Sequence, residues 1–193
     1  MRIAVTGSGS GIGRAVADYL QSEGYEVKRV DRNELDLRFL DTVSQYDLSN
    51  LDVLINNAAT QDPNTNFNDA TKESIIWQIN VNLLAPILLT HSFVNQNKKG
   101  LIINITSGII DDFRDKELPY FVSKSGLRAF NKALHAEVKE NFRCVDLIPR
   151  RVKSSMIVPN NDYQIDPIEV ARIVETIIQN PYIAEIKVKD HRR

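Results

Sequence analysis

The sequence predicts an α/β fold, a single doubly wound Rossmann-type domain over residues 1–193 with a parallel sheet of about seven strands. Three observations predict it. Short apolar runs alternate with amphipathic runs from end to end, the pattern of βαβ units whose strands are covered on both faces. The first apolar run breaks into a glycine-rich turn and passes at once into a helical pattern, "IAVTGSGSGIGRAV" over Ile3–Val16. The composition, 42% hydrophobic and 25% charged, is that of a globular chain long enough for one sizeable core. No internal repeat, low-complexity tract or linker argues for a second domain.

The elements follow in order. Arg2–Thr6 is a strand, and Ile12–Glu23 is an amphipathic helix closed by Gly24. Glu26–Asp31 is the second strand, and a short segment at Leu35–Leu37 leads into a helix around Arg38–Tyr46. Asp52–Asn56 is the next strand, followed by a long helix over Thr71–Gln96. Strand Leu101–Thr106, helix Tyr120–Asn141, strand Arg143–Ile148, helix Pro167–Gln179 and strand Ile183–Val188 complete the series.

Bulk properties narrow the function. A net charge of −1 gives no pull towards nucleic acid or an anionic membrane, and the basic ending "KVKDHRR" reads as a solvated tail. Cys144 is the only cysteine, so no intrachain disulfide forms; in an apolar run it acts as a small hydrophobe. The most apolar long stretch, Ile75–Leu89, contains Gln78, Asn80 and Asn82 and is too short to span a bilayer. With no leader before the first strand, the expected location is cytoplasmic. His91, His135 and His191 are scattered, and no cluster has metal-ligand spacing.

The glycine turn is a phosphate cradle. Gly7 takes the tight turn off the strand, while Gly11 and Gly13 let a ligand and the neighbouring strand approach the backbone. The helix beginning there points unpaired N–H groups and its positive dipole end over the turn. The candidate phosphate contacts are Gly7, Ser8, Gly9, Ser10, Gly11, Ile12 and Gly13.

Further motifs fall behind the cradle: "NNAA" at Asn56–Ala59, "NVNLLAP" containing Asn82, "LIINITS" ending at Ser107, "YFVSK" with Tyr120 and Lys124, and "PRRVKSSM" at Pro149–Met156. In this order and near this spacing, with T-G-x-x-x-G-I-G at the start, the chain resembles the short-chain dehydrogenase/reductase family over nearly its whole length. The resemblance implies that Asn57, Ala58, Pro149, Val152 and Ser154 lie along a nicotinamide cofactor. It implies that Lys124 bonds the nicotinamide ribose and that Asn82 anchors a water in a proton relay. It also implies that Asp36 and Leu37 contact adenine.

The chemistry has its own logic. Tyr120 and Lys124 are four apart on a helix and share a face. A phenol titrates near 10, and an adjacent ammonium lowers that value, so Tyr120 is expected to exchange a proton with an alcohol or carbonyl oxygen. Ser107, at the C-terminal edge of a parallel strand, can hold that oxygen. The catalytic candidates are Ser107, Tyr120, Lys124 and Asn82. Asp31, at the end of the second strand, suits the hydroxyls of an adenine ribose and repels a 2′-phosphate, so NAD(H) is the expected cofactor. Arg32, beside it, keeps NADP(H) open.

Three departures from the family stand out. The helix between the second and third strands is missing, Arg150 replaces the glycine after Pro149, and only a short stretch separates Ser154 from Pro167 where relatives have a lid. Lids exclude water, so a stub implies an open site. The loop "GIIDDFRDKELP" should line the same mouth with its charges facing solvent. Two functions fit: an NAD(H)-dependent oxidoreductase acting on a small carbonyl or alcohol, or a dinucleotide-binding sensor with little turnover. Apolar residues on more than one helix face (Ile75, Ile79, Leu83, Leu84, Ile87, Leu88, Phe93 and Phe130) predict a homodimer, with a tetramer left open.

Overall fold

The computed structural model describes residues 1–62, 66–113, 115–153 and 164–189. Its strands are β1 (Arg2–Thr6), β2 (Glu26–Val30), β3 (Val53–Asn56), β4 (Gly100–Ile105), β5 (Phe142–Pro149) and β6 (Glu185–Val188). They form one sheet in the order β2-β1-β3-β4-β5-β6, every pair parallel. Among the described residues the sheet has six strands, in line with the expectation of about seven. Leu35–Leu37 stays out of the ladder because the chain turns directly after β2. The Asp31 Oδ1 accepts the N–H groups of Asn33 (2.8 Å) and Glu34 (3.1 Å), and the Leu35 N–H returns to the Asp31 carbonyl at 2.9 Å. Such an Asx turn competes with extended pairing. Leu35 and Leu37 still bury their side chains, and so serve the core without serving the sheet.

From β1 the chain moves to β2 on one side, then crosses back to β3 on the other. That reversal opens a crevice at the C-terminal ends of β1 and β3, where open α/β sheets take their ligands.

Alternation along the strands divides the core. Ile3, Val5, Val53, Ile55, Val145 and Leu147 face α1 (Gly11–Ser22) and α6 (Pro167–Gln179), which contribute Val16, Leu20, Val170, Val174 and Ile177. Ala4, Leu54, Ile102 and Cys144 face the opposite layer of α2 (Leu40–Ser44), α4 (Ala85–Gln96) and α5 (Leu118–Val138). Each large apolar side chain fully buried here contributes roughly 1.5–3 kcal/mol. Phe93 of α4 meets Phe142 edge-on with ring centroids 5.8 Å apart. A Cβ at Gly100 would come within 2.6 Å of the Phe93 ring, so the strand start has to be glycine. Cys144 is buried, and burial pushes its thiol up to about 12, consistent with a packing role.

One long helix was expected over Thr71–Gln96. The structure instead has α3 (Lys72–Ile79), a π-helical turn at Asn80–Leu84, and α4. Pro86 carries no N–H to return to the carbonyl of Asn82, and the helix widens at that point. Among the described residues, no helix is long and apolar enough to cross a membrane.

Candidate active site

The glycine turn joins β1 to α1 with Gly7 at φ +66° and Gly11 at φ +52°, a region only glycine enters without strain. Gly13 is closed in more tightly: a Cβ there would lie 2.3 Å from both the Asn57 Nδ2 and the Gly7 carbonyl oxygen. A staple sequence reasoning missed holds this corner. The Thr6 hydroxyl oxygen accepts the N–H groups of Asn57 and Ala58, both at 3.0 Å, and the Asn57 amide donates to the Thr6 carbonyl at 2.8 Å. The turn after β3 is thereby locked beside the turn after β1.

The cradle leaves two of its side-chain hydroxyls unclaimed by the helix. Ser10, the N-cap of α1, makes no side-chain cap bond, whereas Thr71 caps α3 and Asp166 caps α6. Ser8 is buried with its Oγ lacking any partner. An uncapped helix start, an orphaned buried hydroxyl and a backbone that admits no Cβ together fit the phosphates of a dinucleotide.

At the end of β2, Asp31 lies against the turn: a Cβ on Gly9 would be 3.5 Å from that of Asp31. Arg32 is mostly exposed, with its Nε 3.5 Å from Asp36 rather than on Asp31. Asp36 is held chiefly by Arg38, whose Nε is 3.0 Å from both carboxylate oxygens; that bond holds its carboxyl down at about 2. The Arg38 guanidinium also stacks over Trp77 at 5.2 Å and Phe39 at 5.6 Å. Nothing in the spacing of the sequence announced that Asp36 has an internal partner. Leu37 is buried in the core.

The catalytic candidates meet at the C-terminal end of β4. Ser107 opens a 3₁₀ turn (Gly108–Ile110), accepting the Ile109 N–H at 3.3 Å, and its side chain lies near enough to the Tyr120 phenol to pull that group's titration down. One turn further along α5, Lys124 is buried with its Nζ donating to the Ile105 carbonyl at 2.9 Å. The electrostatics differ from expectation. Burial pushes the Tyr120 phenol above its usual value, and the nearby Ser107 side chain opposes that only in part, so the net shift is upward and not downward. The Lys124 Nζ lies 5.9 Å from the Tyr120 ring centroid and is bonded elsewhere. Burial likewise pulls Lys124 down to about 8.

Asn82 is fully buried, and its side chain is spent inside the protein. Its Oδ1 accepts the Thr60 N–H at 2.8 Å, and its Nδ2 donates to the Thr60 carbonyl at 2.8 Å and to the Ser123 Oγ at 3.2 Å. Ser123 in turn donates to the Tyr120 carbonyl at 2.7 Å. Asn82 therefore pins the segment after β3 to the first turn of α5. Ser123, inside "YFVSK", is a second residue missed by sequence reasoning, and only its place one residue before Lys124 could have drawn attention to it.

At the far rim, the Arg150 N–H continues the ladder to the Val188 carbonyl at 3.0 Å, and the left-handed residue of this turn is Arg151 at φ +48°. The Arg150 side chain folds over Gly108, where a Cβ would meet its Cγ at 2.9 Å, and pairs with Asp112. Asp111 pairs with Lys187 at 2.8 Å, so both acidic residues at the start of this loop, Asp111 and Asp112, are exposed but partnered. These groups line a cavity of about 300 Å³. Pro149 and Val152 lie at this rim, and the Val152 backbone is bridged to Ile165. Ser154 falls outside the described residues.

The short chain dehydrogenase family profile matches residues 38–164, about two thirds of the chain. The chain belongs to the short-chain dehydrogenase/reductase family. Members of this oxidoreductase family supply its relatives. Benzil reductase ((S)-benzoin forming) of Bacillus subtilis (strain 168) is 28% identical over 75% of this chain and 70% of its own length. The inactive hydroxysteroid dehydrogenase-like protein 1 of Homo sapiens is 27% identical over 81% of this chain, which spans only 57% of that protein. Among solved structures, 4-hydroxyisoleucine dehydrogenase complexed with NADH superposes with a TM-score of 0.86 at 26% identity, covering 97% of this chain and 96% of the other. The short-chain dehydrogenase/reductase glycine turn (Gly7–Gly13) lies before the matched segment, so the cradle is an observation independent of the profile.

Proposed function

We propose that this chain is a single-domain NAD(H)-dependent oxidoreductase that interconverts a carbonyl and an alcohol, with Tyr120 as the acid/base. The observation that carries the reading is the gathering of Ser107, the Tyr120 phenol that its side chain influences, and a buried Lys124 at the C-terminal end of β4. The glycine turn, Asn57 and Ala58 would hold a nicotinamide dinucleotide, which supplies or accepts the hydride. Ser107 fixes the reacting oxygen, and Tyr120 gives it a proton during reduction or takes one during oxidation. Asn82 acts at one remove, through Thr60 and Ser123, by setting the height of Tyr120. Following the absorbance of NADH across a panel of carbonyls, and of NAD with alcohols in reverse, tests the reading.

A second reading is a dinucleotide-binding sensor. Arg150 folded over Gly108 favours it, and one relative at 27% identity is named inactive. Tight dinucleotide binding without turnover on any panel member would select it.

The preference for NAD(H) rests on Asp31 beside the turn and on Arg32 leaning to Asp36. NADH is expected to bind more tightly than NADPH, and Asp31→Ser to shrink or reverse that difference. Fluorescence titration with both cofactors checks it; equal or tighter NADPH binding by the unmodified protein contradicts it.

The homodimer is proposed on a different set of residues from the one the sequence suggested, with only Leu84 common to both. Phe93 and Leu88 belong to the chain's own core, whereas Ile76, Trp77 and Leu84 of the α3–α4 segment and Val122 of α5 are exposed. Light scattering on a sizing column should give about twice 21.9 kDa. A monomer at micromolar concentration would count against it.

A further inference from the structure

We propose that Asp146 is the buried counter-charge of Lys124, a positioning residue that keeps the lysine protonated beside Tyr120. Strand alternation turns Asp146 to the same side of β5 as Cys144, the side on which α5 packs. Lys124 and Arg128, four apart, lie along α5. The Arg128 Nε is 3.5 Å from the Asp146 Oδ2. The Lys124 Nζ bonds the carbonyl of Ile105, whose strand partner Leu147 is the neighbour of Asp146. The carboxylate thus pairs with Arg128 and lies one strand residue from the partner of the residue whose carbonyl holds Lys124.

Asp146 is only 2% exposed. The Thr106 hydroxyl donates to its Oδ1 at 2.7 Å, but its Oδ2 is buried with no hydrogen-bond partner. A buried carboxylate with one oxygen unsatisfied is costly unless a charge compensates it. Arg128 compensates only in part, because Asp111 (3.5 Å) and Glu185 (2.8 Å) also claim it. Lys187 is drawn off to Asp111. Lys124 has three donors, and the Ile105 carbonyl takes one. Burial pulls Lys124 down and pushes Asp146 up, while the charge of each opposes the shift in the other. Tyr120 and the Cys144 thiol, also titratable and on this face, are held neutral by burial and add no charge to the pair.

The proposal rests on the oxidoreductase reading only for the importance of Lys124, and its test needs no turnover. The full chain is labelled with ¹³C-lysine, and the Lys124 signal is identified by its loss in Lys124→Arg. The signal is then titrated from neutral to strongly alkaline pH. Asp146→Asn keeps an acceptor for Thr106 and removes the charge, so the Lys124 midpoint should fall by about one pH unit or more. Arg128→Met removes the competing cation, so the midpoint should rise. An unchanged midpoint in folded Asp146→Asn overturns the proposal. If that variant does not fold, a midpoint that stays or falls in Arg128→Met overturns it instead. Shifted midpoints in a protein that reduces no carbonyl would uphold the counter-charge and sink the oxidoreductase reading.

Discussion

Tyr120→Phe is expected to lower turnover by roughly 10²–10⁴-fold while leaving the fold and dinucleotide affinity nearly unchanged. The substitution removes only the hydroxyl and leaves the ring in place. Stability should change little, because the ring that carries the packing is kept. The phenol of the unmodified protein sits above its ordinary value, so in reduction it starts protonated and ready to donate across the neutral range. The oxidative direction, which needs it deprotonated, should gain rate as pH rises towards that value. A pH profile in both directions, with Tyr120→Phe as the control, reads this out. Retention of most of the activity by the variant would remove Tyr120 from the mechanism.

Gly13→Val should weaken dinucleotide binding by tenfold or more and lower stability by roughly 1–3 kcal/mol. A Cβ at that position meets the Asn57 amide and the Gly7 carbonyl at 2.3 Å, well inside contact distance. Neither can yield cheaply, because Asn57 is stapled to Thr6 and Gly7 makes the turn off β1, its N–H bonded to the Val30 carbonyl at 2.8 Å. Urea unfolding monitored by circular dichroism gives the stability change, and NADH fluorescence titration gives the binding. Undiminished affinity in a folded Gly13→Val protein would mean that the dinucleotide does not lie over this turn.

The strand–helix alternation and the glycine cradle were legible because backbone pairing and apolar burial leave periodic marks in a sequence. Ser107, Tyr120 and Lys124 were legible for the same reason: a strand end and an i,i+4 spacing bring them to one place. What stayed hidden depends on distances between remote segments. The pinning of Thr60 by Asn82, the clamp of Thr6 on Asn57 and the hold of Arg38 on Asp36 are side-chain choices, and each residue had other partners within reach of a one-dimensional reading. The expected lowering of the Tyr120 phenol failed on burial: i,i+4 spacing gives proximity, but not the direction in which a buried ammonium spends its hydrogen bond. The helix over Thr71–Gln96 was read unbroken because a widened turn keeps nearly the same apolar spacing.

The packing of α1 against α6 bears on how the chain comes to be folded. The apolar stripe of α1, Val16 and Leu20, is covered by Val170, Val174 and Ile177. At synthesis rates of roughly 5–20 residues per second, those partners emerge something like ten to thirty seconds after the surface they cover. During that interval β1 can pair with β2 and β3, but one face of the growing sheet stays bare to solvent. Closure joins segments far apart in sequence, a contact whose loop entropy is met late and which slows the final step. A nascent chain halted before Pro167 should therefore hold a half-clad sheet and depend on a chaperone for its solubility.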